Sequence, residues 1–456
     1  MATCDSSDDE YWGAYTTTPQ ANLSFPAMNK TGADFLPWQA GEPQALYVNS
    51  ESSKQVGGSS LSTTCSQDAT ELQPDAVVAV EHRSFKLQDL LGFGSFGSVW
   101  QAKCMASGGI VALKEVQSSS AEAMEAAMLE AKRLRALRDL VEDEACAALP
   151  YLLCAGTFLT NSGYRTLLAM EHIPGVPLQQ ALEAQELFAH KLHPVAHAFS
   201  VAGCMLTQIS SAMRHVSKRF FHRDANSHNI MIEVSAGEYR FGLIDFGLAV
   251  DSASWSLGGW RCAGAAGDGR FWTTSSWLLF SCGMQALSVD QDLQSEYASM
   301  IDLHSTGLSV LQTMLTLAFG EGFEPLPSDD SEEAAVLTAL MELSKYWKQY
   351  WCHVSTCWQQ VLDAFNSDAR GHIKMQLAED VVHNTFANHF ANLRAQLEQV
   401  SASLQKLRDS VVTCRLGKLG LACGVVEALL VMISAGRPWR GQAGSWEQVR
   451  QLVTEP

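Results

Sequence analysis

Residues 220–232 read FFHRDANSHNIMI. The stretch places the carboxylate of Asp224 five residues before the amide of Asn229, just ahead of a short apolar run. A carboxylate can orient a hydroxyl group and accept its proton. An amide oxygen can bind a hard metal ion of the kind that carries phosphate groups. One short loop thus offers both parts that phosphoryl transfer requires.

A glycine-rich segment lies upstream, where the β-like residues 84–91 run into GFGSFGSV at 92–99. Glycines at this spacing allow a tight turn and bring backbone N–H groups close to phosphate. Dinucleotide-binding folds carry similar glycines, but there the loop opens a helix. Here the β-prone Val99 and Trp100 follow the last glycine. The segment is therefore predicted to be a strand–loop–strand hairpin.

Two further charged positions stand on predicted strands. Lys114 lies in the apolar strand at 110–116, where a buried ammonium requires an acidic partner. The helix that follows offers Glu130 and Glu125 as candidates. Asp245 follows the predicted strand at 240–244 and precedes Phe246-Gly247, so its carboxylate can point at a bound metal.

In this order, these motifs resemble those of eukaryotic protein kinases, and the resemblance covers residues 84–319. It includes MIDLHSTG at 300–307, which is similar to the opening of kinase helix F, whose Asp (here Asp302) anchors the catalytic loop. The resemblance implies an α+β, bilobal fold with a five-stranded small lobe carrying helix C, and a mainly helical large lobe. The implied division is a disordered acidic tail 1–80, a small lobe 81–173, a large-lobe core 174–320 and a helical C-terminal part 321–456.

The resemblance also assigns roles around ATP and Mg²⁺. Asp224 orients the acceptor hydroxyl, Lys114 contacts the α- and β-phosphates, and Asn229 with Asp245 binds the metal. Glu130 is preferred to Glu125 as the partner of Lys114, because Leu134, four residues on, falls where kinases place an apolar spine residue. The positions implied for nucleotide binding are Leu91, Gly92, Gly94, Gly97, Val99, Ala112, Lys114, Glu171, Ile173 and Met231.

The catalytic loop departs from the serine/threonine kinase pattern at one charged position. Asn226 stands where a Lys usually steadies the γ-phosphate, and the position at which many tyrosine kinases carry an Arg is His228. We hypothesise that His228, when protonated, partly replaces the missing cation and belongs to the catalytic set. Because imidazole titrates near neutrality, the rate would then depend on pH between roughly 6 and 7.5.

The segment after Asp245 departs more strongly. It lacks Ala-Pro-Glu, for which residues 264–277, GAAGDGRFWTTSSW, offer the nearest substitute, and 57 residues separate Asp245 from Asp302. The missing Glu normally secures the end of the activation segment. Arg223 is a candidate partner for a phosphate in this region. The candidate acceptors are Ser252, Ser254, Ser256, Thr273 and Thr274, and the alternative is activity without loop phosphorylation.

Charge and composition limit the environment and the partners. The net charge is −18, and residues 1–81 hold 11 Asp and Glu against two Lys, so neither nucleic acid nor an anionic membrane is expected as a partner. The acidic N-terminus does not resemble a secretory signal, and the 12 scattered cysteines fit reduced thiols. We expect an intracellular protein, cytoplasmic, with the nucleus left open.

An apolar stripe with 4-3 spacing runs through residues 386–411 and permits a coiled-coil partner. An apolar segment at 419–433 follows closely, so packing within the chain is the favoured interpretation.

The expected function is a protein kinase that transfers the γ-phosphate of Mg-ATP to a protein substrate, with serine or threonine as the default acceptor. Two alternatives remain. A pseudokinase scaffold is favoured by Asn226 and the missing Ala-Pro-Glu, and a small-molecule kinase by the altered activation segment.

Overall fold

The computed structural model describes residues 72–94, 97–138, 148–185, 187, 193–320, 331–367, 382–410, 416, 418–436 and 444–454. Most of the predicted acidic tail, residues 1–71, lies outside the described residues. None of the described helices is both long enough and apolar enough to cross a membrane.

The small lobe is an antiparallel sheet packed against one long helix. In the described part of the chain its six strands follow the order β1-β2-β3-β4-β6-β5. The strands are β1 Val77–Val80, β2 Arg83–Gly94, β3 Gly97–Cys104, β4 Ile110–Ser118, β5 Leu152–Thr160 and β6 Gly163–Glu171. Helix α1, Ala121–Arg138, buries residues 127, 130, 131, 134 and 137, a helical spacing that turns one face to the sheet.

The prediction of five strands was one strand short. Val77–Val80 pairs with β2, and Val78 and Val80 join Phe85 and Leu87 in a buried cluster. The small lobe therefore begins four residues before the predicted boundary at 81. The strand is short and adjoins the acidic tail, and VVAV is apolar throughout, so it lacks the apolar–polar alternation that marks a strand.

The large lobe is mainly helical, so the structure confirms the α+β class. Its helices are α2 Leu178–Glu183, α3 Pro194–Val216, α4 Ser252–Ser256, α5 Thr274–Cys282, α6 Met284–Ser288, α7 Gln291–Ser299, α8 Ile301–Ala318, α9 Glu332–Ser367, α10 Asn388–Ser410, α11 Leu419–Met432 and α12 Trp446–Thr454. Its short strands are β7 Val176–Pro177, β8 Phe220–Phe221, β9 Ile230–Ser235, β10 Glu238–Leu243 and β11 Val250–Asp251. Strands β10, β9 and β7 form one small sheet, and β11 pairs with β8.

Helix α8 forms the centre of the large lobe. Almost all of its residues are buried, polar ones such as Asp302, His304 and Gln312 included. It contacts α3, α7 and α11, and its first turn faces the catalytic loop. A helix that is buried all round cannot tilt or shift without disturbing its neighbours, so its first turn is a rigid support.

The apolar stripe at 386–411 packs within the chain. Its described side chains are buried in the large-lobe core, and α10, which carries most of them, lies against α9 and α11. The buried members are Phe386, Phe390, Leu393, Leu397, Val400, Leu404 and Leu407. The last predicted member, Val411, lies outside the described residues.

A buried histidine joins α8 to the segment after α11. His304 Nδ1 accepts a hydrogen bond from the Ser434 amide at 3.0 Å, and its ring packs edge-on against Phe390 at 4.6 Å between centroids. Burial, together with the nearby Arg394 guanidinium, lowers the pKa of His304 to about 3. The side chain is therefore neutral in the folded protein near neutral pH.

His304 should make the folded state sensitive to acid. Between pH 7 and 5 a histidine titrates in the unfolded chain, whereas His304 stays neutral in the folded chain, so stability falls as the pH falls. The expected loss is about 2 kcal/mol. His304→Asn keeps an acceptor for the Ser434 amide and should remove this share of the loss, as measured by urea unfolding at both pH values. The exposed His82, replaced by Asn, serves as the control. Equal losses in wild type and His304→Asn would contradict the assignment.

Candidate active site

The catalytic loop is attached to the first turn of α8. The buried carboxylate of Asp302 accepts hydrogen bonds from the backbone amides of His222 at 2.7 Å and Arg223 at 2.6 Å. Arg223 has a φ of +67°, a conformation that is uncommon for a residue with a side chain. Two charge-assisted hydrogen bonds, donated by these amides to one buried carboxylate, stabilise this turn.

His222 links the loop to the strand that precedes Asp245. Its Nε2 donates to the carbonyl of Ile244 at 3.1 Å, and its Nδ1 accepts from the amide of Asp224 at 3.3 Å. Burial lowers the pKa of His222, so the ring is neutral and serves as a bridge between the two segments.

Asp224, the predicted catalytic carboxylate, is held at both oxygens. Its Oδ1 accepts from Asn226 Nδ2 at 2.6 Å and from the Asp268 amide at 3.1 Å, and its Oδ2 accepts from Asn229 Nδ2 at 2.8 Å. Burial raises the pKa of Asp224 to about 8, although the hydrogen bond from the Asp268 amide acts to lower it. Asn226 thus orients Asp224 and brings no charge to the site.

Lys114 is the centre of a buried ion cluster. Its ammonium lies 2.9 Å from each carboxylate oxygen of Glu130 and 3.2 Å from Asp245 Oδ1. Burial opposes the charged form, but the Asp245 and Glu130 carboxylates raise the pKa of Lys114 above its usual range. Glu130, preferred from the sequence, makes this contact, whereas Glu125 is exposed on another face of α1.

Arg133, which the sequence analysis did not single out, joins α1 to the turn after Asp245. Its Nη1 donates to the carbonyls of Gly247 at 2.8 Å and Phe246 at 3.3 Å. The available signal was its position three residues after Glu130, on the same helix face. The glycine-containing turn is thereby connected to the same helix that holds Lys114.

The predicted phosphate-binding hairpin is formed by the end of β2 and the start of β3. It carries the predicted positions Leu91, Gly92, Gly94, Gly97 and Val99. Gly97 has a φ of +137°, and a Cβ there would collide with the carbonyl oxygen of Glu115 on β4. Only glycine fits at this point, so the hairpin can lie directly against β4.

The remaining nucleotide positions lie on strands next to Lys114. Ala112 on β4 pairs with Met170 on the neighbouring strand β6, which ends at Glu171. Ile173 is buried just beyond that end. Met231 lies on β9, which reaches this region because it pairs with β7, the strand that follows the connection between the lobes. The structure thus brings the four predicted positions Ala112, Glu171, Ile173 and Met231 to the junction of the lobes.

The two predicted metal ligands lie at the same end of the β9–β10 hairpin. The Ile244 amide donates to the Asn229 carbonyl at 2.9 Å, so Asp245 follows directly beside Asn229. The hydrogen bonds of the Asn229 side chain use Nδ2 and do not engage its Oδ1. One carboxylate and one amide oxygen suit Mg²⁺, which keeps several waters and takes further ligands from phosphate. Within the described ranges, no group of three or more His, Cys, Asp or Glu side chains is arranged to hold a metal ion.

The contacts of His228 oppose the hypothesis that it is protonated and supplies the missing cation, although Asp268 Oδ2 lies 3.7 Å from its Nε2. Arg270 Nη2 lies 2.9 Å from His228 Nε2, and a guanidinium can only donate, so the imidazole nitrogen must accept and the ring is neutral. Burial also lowers the pKa of His228. Arg270 is a cation beside the catalytic loop that was not predicted from the sequence.

Arg223 is held without a phosphate group. Its Nη2 donates to the Gly264 carbonyl, and its guanidinium carbon lies 5.3 Å from the centroid of the Trp255 ring. The Tyr297 hydroxyl donates to the same carbonyl at 3.0 Å. These contacts fix the middle of the activation segment with groups that the chain itself provides.

Most of the candidate phosphorylation positions are inaccessible. Ser252, Thr273 and Thr274 are buried, and Thr273 accepts a hydrogen bond from the Ser276 amide at the start of α5. Ser254 and Ser256 are exposed on α4. The structure therefore favours the alternative in which Arg223 needs no phosphate partner.

A buried carboxylate secures the end of the activation segment. Glu296 on α7 accepts from the Ser275 amide at 2.8 Å and from the Gly436 amide at 2.9 Å. It ties the start of α5 to the segment after α11. No local pattern in the sequence marks Glu296 for this contact.

Residues 85–265 match the family model described as the protein kinase domain. This match supports membership of the protein kinase superfamily. The match ends inside the activation segment, just where the usual Ala-Pro-Glu would be approached. Comparison with curated proteins gives no match.

Replacing Glu130 with Gln should weaken Mg-ATP binding about tenfold, equivalent to about 1.4 kcal/mol, because Lys114 then loses one of its two carboxylates and is no longer held in place. Glu125→Gln removes the same charge from an exposed position of the same helix and should leave the affinity unchanged. Displacement of a fluorescent ATP analogue measures both. Equal weakening by the two variants would contradict the role of Glu130.

Proposed function

We propose that the chain is an active protein kinase that transfers the γ-phosphoryl group of Mg-ATP to a protein hydroxyl, on serine or threonine. The observation that carries the proposal is the buried cluster of Lys114, Glu130 and Asp245 beside a hydrogen-bonded Asp224. An ammonium poised between carboxylates is a costly arrangement without a phosphate to bind, and a chain free of catalysis has no need to keep it.

The proposed mechanism follows from what each side chain can do. Lys114, steadied by Glu130, donates to phosphate oxygens and orients them. Asp224 in its ionised form orients the acceptor hydroxyl and accepts its proton. Asn229 and Asp245 would hold Mg²⁺, which, when bound, neutralises the charge that develops on the phosphoryl group.

A protein acceptor is proposed because Arg223 and the opening of α8 resemble those of protein kinases, whereas small-molecule kinases of related fold generally carry other residues there. The choice of serine or threonine over tyrosine as the acceptor rests on the resemblance alone, since nothing in the loop matches the tyrosine-specific pattern well.

Transfer of labelled γ-phosphate from Mg-ATP to a mixed protein substrate, and to the chain itself, tests the proposal. We expect label with wild type and with Glu125→Gln, and a loss of at least 100-fold with Asp224→Asn and with Asp245→Asn, because each removes a charge that acts in the transition state. Undiminished transfer by Asp224→Asn would contradict the assigned role.

Absence of label on every protein would contradict the proposal. The same preparation would then be offered sugars, amines and inositols. Transfer to one of these would identify a small-molecule kinase. Binding of Mg-ATP with no transfer at all would identify a scaffold.

Activity should not depend on phosphorylation of the activation segment. Because Arg223 already contacts Gly264 and Trp255, a phosphatase-treated preparation and the double variant Ser254→Ala/Ser256→Ala should both transfer phosphate at the wild-type rate. A preparation incubated with inhibited phosphatase is the control. A tenfold or larger fall on dephosphorylation, reversed by rephosphorylation, would contradict this expectation.

A further inference from the structure

Helix α9 lies beyond the matched kinase segment, yet it contacts the activation segment directly. The hydroxyl of Tyr350, a fully buried residue of α9, donates to the carbonyl of Arg270 at 2.6 Å. The ring of Trp351 lies 5.7 Å from the Arg270 guanidinium carbon and packs edge-on against Phe271 at 5.5 Å. Both the backbone and the side chain of Arg270 are therefore held by α9.

Two helical turns further along α9, a second contact fixes the same segment. A Cβ on Gly269 would collide with the ring of Trp358, so the backbone of the segment lies directly on this ring. Trp272 packs against Trp358 at 5.4 Å and against Trp277 at 5.1 Å. Residues on both sides of Arg270 are thus packed against α9 or its neighbours.

Arg270 in turn fixes Asp268. Its Nε lies 3.0 Å from Asp268 Oδ1, and its Nη2 lies 2.6 Å from Asp268 Oδ2. Such a two-point contact fixes the relative orientation of the planar groups. Because the Asp268 carboxylate balances the charge of Arg270, and His228 accepts a further hydrogen bond from it, the guanidinium is used for positioning within the chain.

Asp268 completes the connection to the catalytic loop. Its amide donates to Asp224 Oδ1 at 3.1 Å. The preceding Gly267 has a φ of +84°, and a Cβ there would come within 2.5 Å of Asp224 Oδ1 and 2.7 Å of the Arg223 carbonyl oxygen. Any displacement of this backbone would therefore move a hydrogen-bond donor of Asp224.

We propose that Tyr350 and Arg270 are positioning residues for Asp224, and that α9 is a permanent part of the catalytic apparatus. The inference rests on the proposed function. The chain lacks a catalytic-loop lysine. Asn229 holds Oδ2 of Asp224, whereas Oδ1 depends on two donors, Asn226 and the Asp268 amide. A misplacement of about 1 Å in a reacting group can lower a rate by about 100-fold, so the position of Asp268 matters for transfer.

The first arm of the test is kinetic. Tyr350→Phe removes one hydroxyl and keeps the ring, and it should lower kcat for phosphotransfer about tenfold while KM for ATP stays within about twofold. Tyr346→Phe, one turn earlier on α9, is the matched control and should behave as wild type. Arg270→Ala should lower kcat about 100-fold, and Arg270→Lys should recover part of the loss because it keeps the charge facing Asp268.

Unchanged kcat in Tyr350→Phe and Arg270→Ala would overturn the proposal. So would a fall in kcat that is matched by an equal loss of ATP affinity and by a lower unfolding temperature, since that result describes general destabilisation.

The second arm does not require activity and separates this inference from the proposed function. Hydrogen–deuterium exchange of peptides covering residues 222–229 and 264–272 is compared between variants. Tyr350→Phe and Arg270→Ala should accelerate exchange in both peptides, whereas Tyr346→Phe should not. Unchanged exchange in 222–229 would overturn the link from α9 to the catalytic loop, whether or not the wild-type chain transfers phosphate.

Discussion

The arrangement of the candidate active site depends on a buried ammonium. Lys114 is removed from water, and an unpaired charge in that position would cost several kcal/mol. The carboxylates of Glu130 and Asp245 pair with it at 2.9 and 3.2 Å. Because these groups belong to β4, α1 and the segment after β10, the requirement to pair one charge brings the two lobes together. Arg133 reinforces the same junction by holding the backbone after Asp245.

A second set of contacts replaces features that the resemblance led us to expect. Asp302 fixes the catalytic loop from α8, as the resemblance implies. Arg223, however, is held by a carbonyl group and an indole ring, and Glu296 binds the end of the activation segment from α7. Helix α9, which follows α8, holds the activation segment at Arg270. The matched kinase segment is therefore only part of the structural unit that shapes the site.

Features encoded by short stretches of sequence could be predicted, whereas contacts between residues far apart in the chain could not. Lys114, Asp224, Asn229 and Asp245 stand in short motifs whose spacing reflects a loop or a strand end, and the structure brings them together. The charge state of His228 depends on Arg270, which is 42 residues away. The contact of Tyr350 with Arg270 joins residues 80 positions apart, and it depends on tertiary packing that no periodic pattern in the sequence indicates. Strand β1 was missed because four residues give too short a pattern.

We infer that the Lys114 cluster and the neighbouring Asn229 form a site for nucleotide together with its metal. Calorimetric titration of the wild-type chain with ATP, in excess Mg²⁺ and in excess chelator, measures whether the metal contributes to binding. Without Mg²⁺ the Asp245 carboxylate repels the phosphates, whereas with Mg²⁺ it binds them through the metal. We expect Mg²⁺ to tighten ATP binding at least tenfold, equivalent to about 1.4 kcal/mol. Equal affinity under the two conditions, or no binding in either, would contradict this inference.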